Sequence, residues 1–174
     1  KKPAPPEFMP DQPIRYTFSQ IGNTSNIALD SFYWRDTLPA QVTVNRLVTG
    51  TYNQAQNYKI VYKVSGAGAY RTLADNLSTT KNYVLDMRPA VLGLAANERV
   101  TEIMFVFGTV PAGFAQVETP VLYGTVCGGL SNGTNLVNSA DVGGLYSGQW
   151  VQAVSRWLTT VYAKMTMTLP KTGY

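Results

Sequence analysis

Few of the residue types that carry chemistry are present. The 174-residue chain has no histidine, which removes the commonest general base and the commonest neutral metal ligand. A Ser-His-Asp triad and an imidazole-built zinc site go with it. A single cysteine, Cys127, permits no internal disulfide. Preceded by Val126 and followed by Gly128 and Gly129, it reads as a small buried or partly buried hydrophobe. Carboxylates remain, because a glycosidase needs two of them. Glu98 and Glu102 have the same parity on an expected strand, but four residues at ~3.3 Å each set their backbones ~13 Å apart. Paired carboxyls work at ~5–5.5 Å in retaining enzymes and ~6.5–9.5 Å in inverting ones, so the two read as solvated strand residues. Gly66-Ala67-Gly68 lacks the third glycine and the helix of a phosphate loop and reads as a hairpin turn. No catalytic residue, cofactor or metal is expected, and the chain is not expected to be an enzyme.

Binding chemistry has more to work with. Trp34, Trp150 and Trp157, among 11 tyrosines, are the candidate ligand-binding residues. Together they could form a platform for a glycan or protein. The commoner use of large aromatics is core packing. A platform requires a contiguous exposed patch of more than a few hundred Å².

The elements that must position these residues read as strands. The chain is 45% hydrophobic and 14% charged, against ~25% charged in an average soluble domain, and it is rich in Gly, Tyr, Thr, Val and Asn. Its 14 basic and 10 acidic residues are scattered, with Lys1-Lys2 the one adjacent basic pair. Nucleic-acid binding, which needs clustered Lys and Arg, is therefore not expected. No stretch reaches the ~18 consecutive apolar residues of a spanning helix.

Residues 1–13 carry five prolines and read as an extended linker. From Ile14, Tyr16 and Phe18 alternate with polar residues as in a half-buried strand. A second strand runs from about Ile27 through Phe32, Tyr33 and Trp34 to Asp36-Thr37-Leu38-Pro39. NYKIVYKV alternates from Tyr58 to Val64, and RVTEIMFVFG, apolar on both faces from Ile103 to Phe107, is expected to be central. RPAVLGLAANE suits a short helical turn. Strands are then expected in AQVETPVLYGTV, NLVNSADV, QWVQAVSRW and LTTVYAKMTM, with a turn at Gly143-Gly144. Nine or ten short strands predict an all-β, immunoglobulin-like β-sandwich of mostly antiparallel strands over residues 14–166.

At residues 169–173 stand Leu169, Pro170, Lys171, Thr172 and Gly173. The pentapeptide resembles the LPxTG sorting signal that sortase transpeptidases of Gram-positive bacteria recognise. With average residue usage the four defining letters match by chance in about one window per 50,000. The resemblance implies an exposed tail over 167–174, cleavage between Thr172 and Gly173, and transfer of the Thr172 carboxyl to an amine of peptidoglycan or of a pilin. Sortase and that amine acceptor are the implied partners, and the implied location is the extracellular cell wall of a Gram-positive surface protein. Sorting signals of this kind continue into an apolar span and a basic tail. The chain is therefore expected to be part of a longer product with a signal peptide, touching a membrane through a missing C-terminal segment. The other source of such a motif is an appended label.

A second resemblance lies in the body. YTFSQIGNTSNIALDSFYWRDTLP, with Tyr16, Thr17, Asp36, Leu38 and Pro39 on pattern positions, is similar to the bacterial surface repeat DUF11. GTVPAGF from Gly108 to Phe114 and NLVNSADV, with Asn138, Ala140 and Val142 in register, are similar to its later motifs. The likeness covers roughly residues 14 to 142 and implies an immunoglobulin-like stalk or display module whose pattern residues are structural. Asp36 is then expected to tie down the turn at a strand end. Sortase-displayed modules also form Lys-to-Asn or Lys-to-Asp isopeptide bonds, which require a buried, neutral lysine. Lys59 and Lys63 are the in-strand lysines, and they lie opposite the more apolar face. The implied role is display, with adhesion to a host or microbial glycan or protein as the alternative.

Overall fold

The computed structural model describes residues 7–8, 13–18, 21–127 and 135–161, with residues 7–8 and 154–161 described by backbone alone. The strands are β1 (Glu7–Phe8), β2 (Pro13–Thr17), β3 (Leu29–Thr37), β4 (Val42–Val48), β5 (Asn57–Val64), β6 (Arg71–Ser78), β7 (Val84–Asp86), β8 (Val100–Val110), β9 (Val121–Val126), β10 (Asn135–Tyr146) and β11 (Gln149–Val161). A four-residue helix, α1 (Pro89–Leu92), falls in the segment expected to hold a helical turn and ends on left-handed Gly93. One sheet has the order β1-β11-β10-β3-β8-β5-β6 and the other β2-β9-β4-β7. All pairings are antiparallel except β1 with β11. The result is an all-β sandwich of two mostly antiparallel sheets, as expected, with β8 between β3 and β5.

Period-two alternation builds the core. Phe32, Trp34 and Asp36 of β3 point inward, as do Ile103, Phe105 and Phe107 of β8, Ile14 and Tyr16 of β2, and Leu122 of β9. The aromatic rings form a continuous chain: Phe18 lies 4.5 Å from Trp34, Trp34 4.9 Å from Phe105, Tyr58 5.0 Å from Phe107 and Phe107 5.1 Å from Phe114. Tilted, edge-on and stacked pairs at these separations add to the area they bury. At Ser31, φ of 48° marks a bulge in the β3–β8 pairing. The extra residue lets Phe32 and Trp34 face the core with Tyr33 outside.

Two expectations are corrected. Gly143-Gly144 is not a turn: β10 continues through it to Tyr146, and the chain reverses at Ser147-Gly148. A Cβ on Gly143 would lie 2.6 Å from the Val151 carbonyl oxygen, and one on Gly144 2.9 Å from Leu29 Cβ. Close approach of neighbouring strands, rather than chain reversal, requires glycine there. The two strands expected at the end are the single strand β11 as far as Val161.

Within the segment expected to be a linker, Glu7–Phe8 pairs with Thr160 and Val161. Asp36, expected at a turn, is fully buried on the inward face of β3. Burial and the Asp36 charge push the Tyr16 hydroxyl well above its ordinary pKa.

Candidate functional site

The most developed polar constellation lies on the outer face of the seven-stranded sheet. Strand pairing sets Asp141 beside Arg35, and Gly143 between Tyr33 and Gln152. Arg35 donates from Nε to Asp141 Oδ1 at 2.9 Å and from Nη2 to Oδ2 at 2.8 Å, a bidentate pair. The Tyr33 hydroxyl donates to the same Oδ2 at 2.8 Å and Gln152 Nε2 at 2.9 Å. Gly143 makes room, since a Cβ there would meet the Tyr33 ring and hydroxyl at 3.3 Å. On the far side of Arg35, Glu102 accepts from the Tyr70 hydroxyl at 2.5 Å and lies 3.9 Å from both Arg35 Nη1 and Lys63 Nζ. Lys63 also sits 4.6 Å over the Tyr70 ring.

The electrostatics follow from the pairing. Burial alone would raise the Asp141 carboxyl, but hydrogen bonds from Arg35, Tyr33 and Gln152, with the Arg35 charge, outweigh it and hold the carboxyl below its ordinary range. Burial, then the Asp141 hydrogen bond and charge, push the Tyr33 hydroxyl up to about 12. Asp141 is acceptor to three residues at once and donor to none. Such an arrangement fixes strands and offers no poised acid or base.

The residues expected to bind ligand are not brought together. Trp34 is 4% exposed and packs in the core, whereas Trp150 is 62% exposed, its ring edge-on to Tyr33 at 6.0 Å on the outer face. The three-tryptophan platform is therefore corrected: Trp34 and Trp150 lie on opposite faces of one sheet, because the bulge at Ser31 turns Trp34 inward. Trp157 pairs with Asn138 through its backbone, and its side chain lies outside the described residues. Leu169, Pro170, Lys171, Thr172 and Gly173 lie outside them as well.

Glu98 and Glu102 do not share a strand face. Glu98 precedes β8 in a turn, accepts from the Ala95 amide at 2.8 Å and pairs with Arg71 at 3.7 Å. A Gly-x-Ser-x-Gly pattern is not expected from the sequence reading, yet the letters Gly129-Leu130-Ser131-Asn132-Gly133 match one. They too lie outside the described residues, and the chain has no histidine to activate the serine. Cys127 is half-buried, its Sγ 3.8 Å from Thr43 Oγ1. Lys59 is exposed and Lys63 pairs with Glu102, so neither meets the burial that an isopeptide donor requires. Among the described residues no group of three His, Cys, Asp or Glu could hold a metal ion.

The outer face of the four-stranded sheet carries a feature that the sequence did not disclose. Pairing aligns Arg15 of β2, Tyr123 of β9, Arg46 of β4 and Asp86 of β7 in one row across four strands. The Arg46 guanidinium lies 4.2 Å over the Tyr123 ring, and Arg88 forks onto Asp86 at 2.6 Å. A groove of about 500 Å³ runs along this face. Each residue sits on the polar side of its own strand pattern, but single-strand patterns do not say which strands adjoin.

No family model and no curated protein matches the chain. Among solved structures it is similar to AvmM, described as catalysing macrocyclization in alchivemycin A biosynthesis. The two are 10% identical with a TM-score of 0.36, over 91% of this chain and 84% of that one. A likeness of that degree carries no argument about chemistry.

Proposed function

We propose that this chain is a display module of a Gram-positive surface protein, joined to the cell wall by sortase through Leu169-Pro170-Lys171-Thr172-Gly173. The observation that carries the reading is the pentapeptide itself, eight residues past the end of β11 at Val161. The self-paired network around Asp141 supports it, because a module whose work is mechanical and positional needs its strands tied together and no poised acid or base. The likeness of the Tyr16–Pro39 run to DUF11 repeats points the same way. In the reaction the Thr172 carbonyl carbon passes to the enzyme's thiolate, the segment beginning at Gly173 leaves with a free amine, and an acceptor amine then takes the acyl group.

Incubation of the folded protein with a class A sortase and triglycine tests this by intact mass. The expected product has lost Gly-Tyr and gained triglycine, and Thr172→Ala abolishes it. An unchanged mass, while an LPxTG peptide in the same tube is processed, overturns the reading.

A second reading, adhesion to a glycan, is favoured by Trp150, which presents an exposed ring braced edge-on against Tyr33. A glycan array probed with the wild type and with Trp150→Ala separates the two readings. Signals lost in the variant support adhesion, and an array without signal removes it.

A further inference from the structure

The row on the four-stranded sheet is built differently from every other charged cluster described above. Arg15 and Arg46 are exposed, and among the described residues neither has a carboxylate or hydrogen-bond partner. They flank Tyr123 in register, one strand away on either side. A guanidinium stacked on an aromatic ring keeps its N–H edge free for an oxyanion, and its planar fork matches two oxygens of a phosphate. The third arginine, Arg88, is held by Asp86 at the far end, so the face carries a net excess of positive charge.

The groove is too large for a single anion. At ~30 Å³ per water, its volume of about 500 Å³ holds several times what one phosphate fills. Pro13 and Val84 give it apolar walls, and Arg46 and Tyr123 line it. Val84 is 64% exposed, and Arg15 stands next to that lining, paired in register with Tyr123. A fitting ligand therefore alternates anionic groups with short carbon segments. Two competing polymers fit less well. A sugar ring or a nucleobase would need an open aromatic face to stack upon, and Arg46 occupies that of Tyr123.

We propose that the outer face of the four-stranded sheet binds a polyol-phosphate chain, a flexible polymer whose repeating charge is a phosphodiester. Arg46 grips one phosphodiester within the groove, Arg15, beside its Tyr123 wall, takes the next where the chain leaves it, and the apolar walls cover the carbon links. The site needs no anchoring reaction and stands apart from the sortase reading.

Calorimetric titration of the folded protein with a synthetic glycerol-phosphate octamer at low salt tests the proposal. Saturable binding is expected, weakening with added salt as exposed charges are screened. Arg15→Gln and Arg46→Gln should each weaken it about tenfold, the scale of a charge-assisted hydrogen bond. Lys59→Gln, which removes the same charge from the other sheet, should leave it unchanged. Amide shifts in the wild type should move at Arg15, Arg46 and Tyr123, a readout that does not depend on the variants folding. Absence of binding overturns the proposal, as do equal losses in Lys59→Gln or shifts confined to other strands. Equal affinity for polyglutamate, oligothymidylate or inorganic phosphate overturns the assignment of a polyol-phosphate.

Discussion

On the seven-stranded sheet, Arg35 gives both arms of its guanidinium to Asp141, which Tyr33 and Gln152 also reach. On the four-stranded sheet, Arg15 and Arg46 face solvent beside Tyr123 with no ion-pair partner among the described residues, since Asp86, across from Arg46, is held by Arg88. The two faces use the same residue types, arginine and tyrosine, on strands of the same sandwich. Charges paired across β3, β10 and β11 hold those strands in register. Charges left unpaired contribute little to the fold, so their placement in one row beside a groove calls for a partner outside it.

The sharpest way to break this contrast is to remove the hub. Asp141 is 7% exposed, and Asp141→Ala strands Arg35 without its bidentate acceptor. A loss of about 3 kcal/mol is expected, read as a lower urea midpoint with an unchanged slope. The same hub sets the pH dependence. Because the folded Asp141 carboxyl lies below its ordinary range, its stabilisation is fully present above the unfolded value of about 3.9 and is lost as pH falls through the folded value. Asp141→Asn should flatten the acid limb of stability below about pH 4. Tyr33 acts at the other end: with the hydroxyl raised to about 12, its contribution is complete below about pH 10 and fades as pH rises through the folded value. Tyr33→Phe should remove that alkaline step.

Gly143 sharpens the same point through shape rather than charge. Its missing Cβ admits both the Val151 carbonyl and the Tyr33 ring. Gly143→Ala should cost about 2 kcal/mol through overpacking. It should also release the Tyr33 hydroxyl from Asp141, so that the alkaline step moves toward pH 10 in the same titration.

A smaller effect of opposite sign is expected three residues earlier on β10. Asn138 is 1% exposed, and among the described residues neither atom of its side-chain amide has a hydrogen-bond partner. Asp141 is outward and fully satisfied, and Asn138 is inward and unsatisfied. An orphaned buried amide costs ~1–3 kcal/mol, so Asn138→Leu should raise thermal stability by about 1 kcal/mol. A loss instead would mean that the amide has a partner in the folded protein.

How much of this was legible beforehand depends on whether a feature lives within one strand or between strands. The alternation Ile14-Tyr16 and the run Tyr58-Ile60-Tyr62-Val64 disclose strands, because period two is a property of one segment. Phe32-Tyr33-Trp34 discloses a strand but not its inward face: three successive aromatics have no parity, and the bulge at Ser31 decides it. Gly143-Gly144 reads locally as a turn, and only the approach of β11 and β3 explains it. Val42–Val48 does not read as a strand, since Asn45 and Arg46 interrupt the alternation where β4 itself is bulged against β9. The row Arg15-Tyr123-Arg46 spans more than a hundred residues of sequence, and no local pattern carries it.

The least effect on stability, and the one that tests the contrast most directly, is expected at Arg46. Its guanidinium gains one cation–π contact of ~0.5–1 kcal/mol at an exposed site and crosses no strand with a salt bridge among the described residues. Arg46→Gln should therefore move the urea midpoint by no more than about 0.5 kcal/mol, against about 3 kcal/mol for Asp141→Ala. If Arg46→Gln proved as costly as the loss of Asp141, the row on the four-stranded sheet would be a structural tie like the other, and its open edge would need no ligand. If stability holds while octamer binding falls, the arginine serves something other than the fold. In that case the two faces divide the work of the sandwich, one holding its strands together and the other meeting a partner.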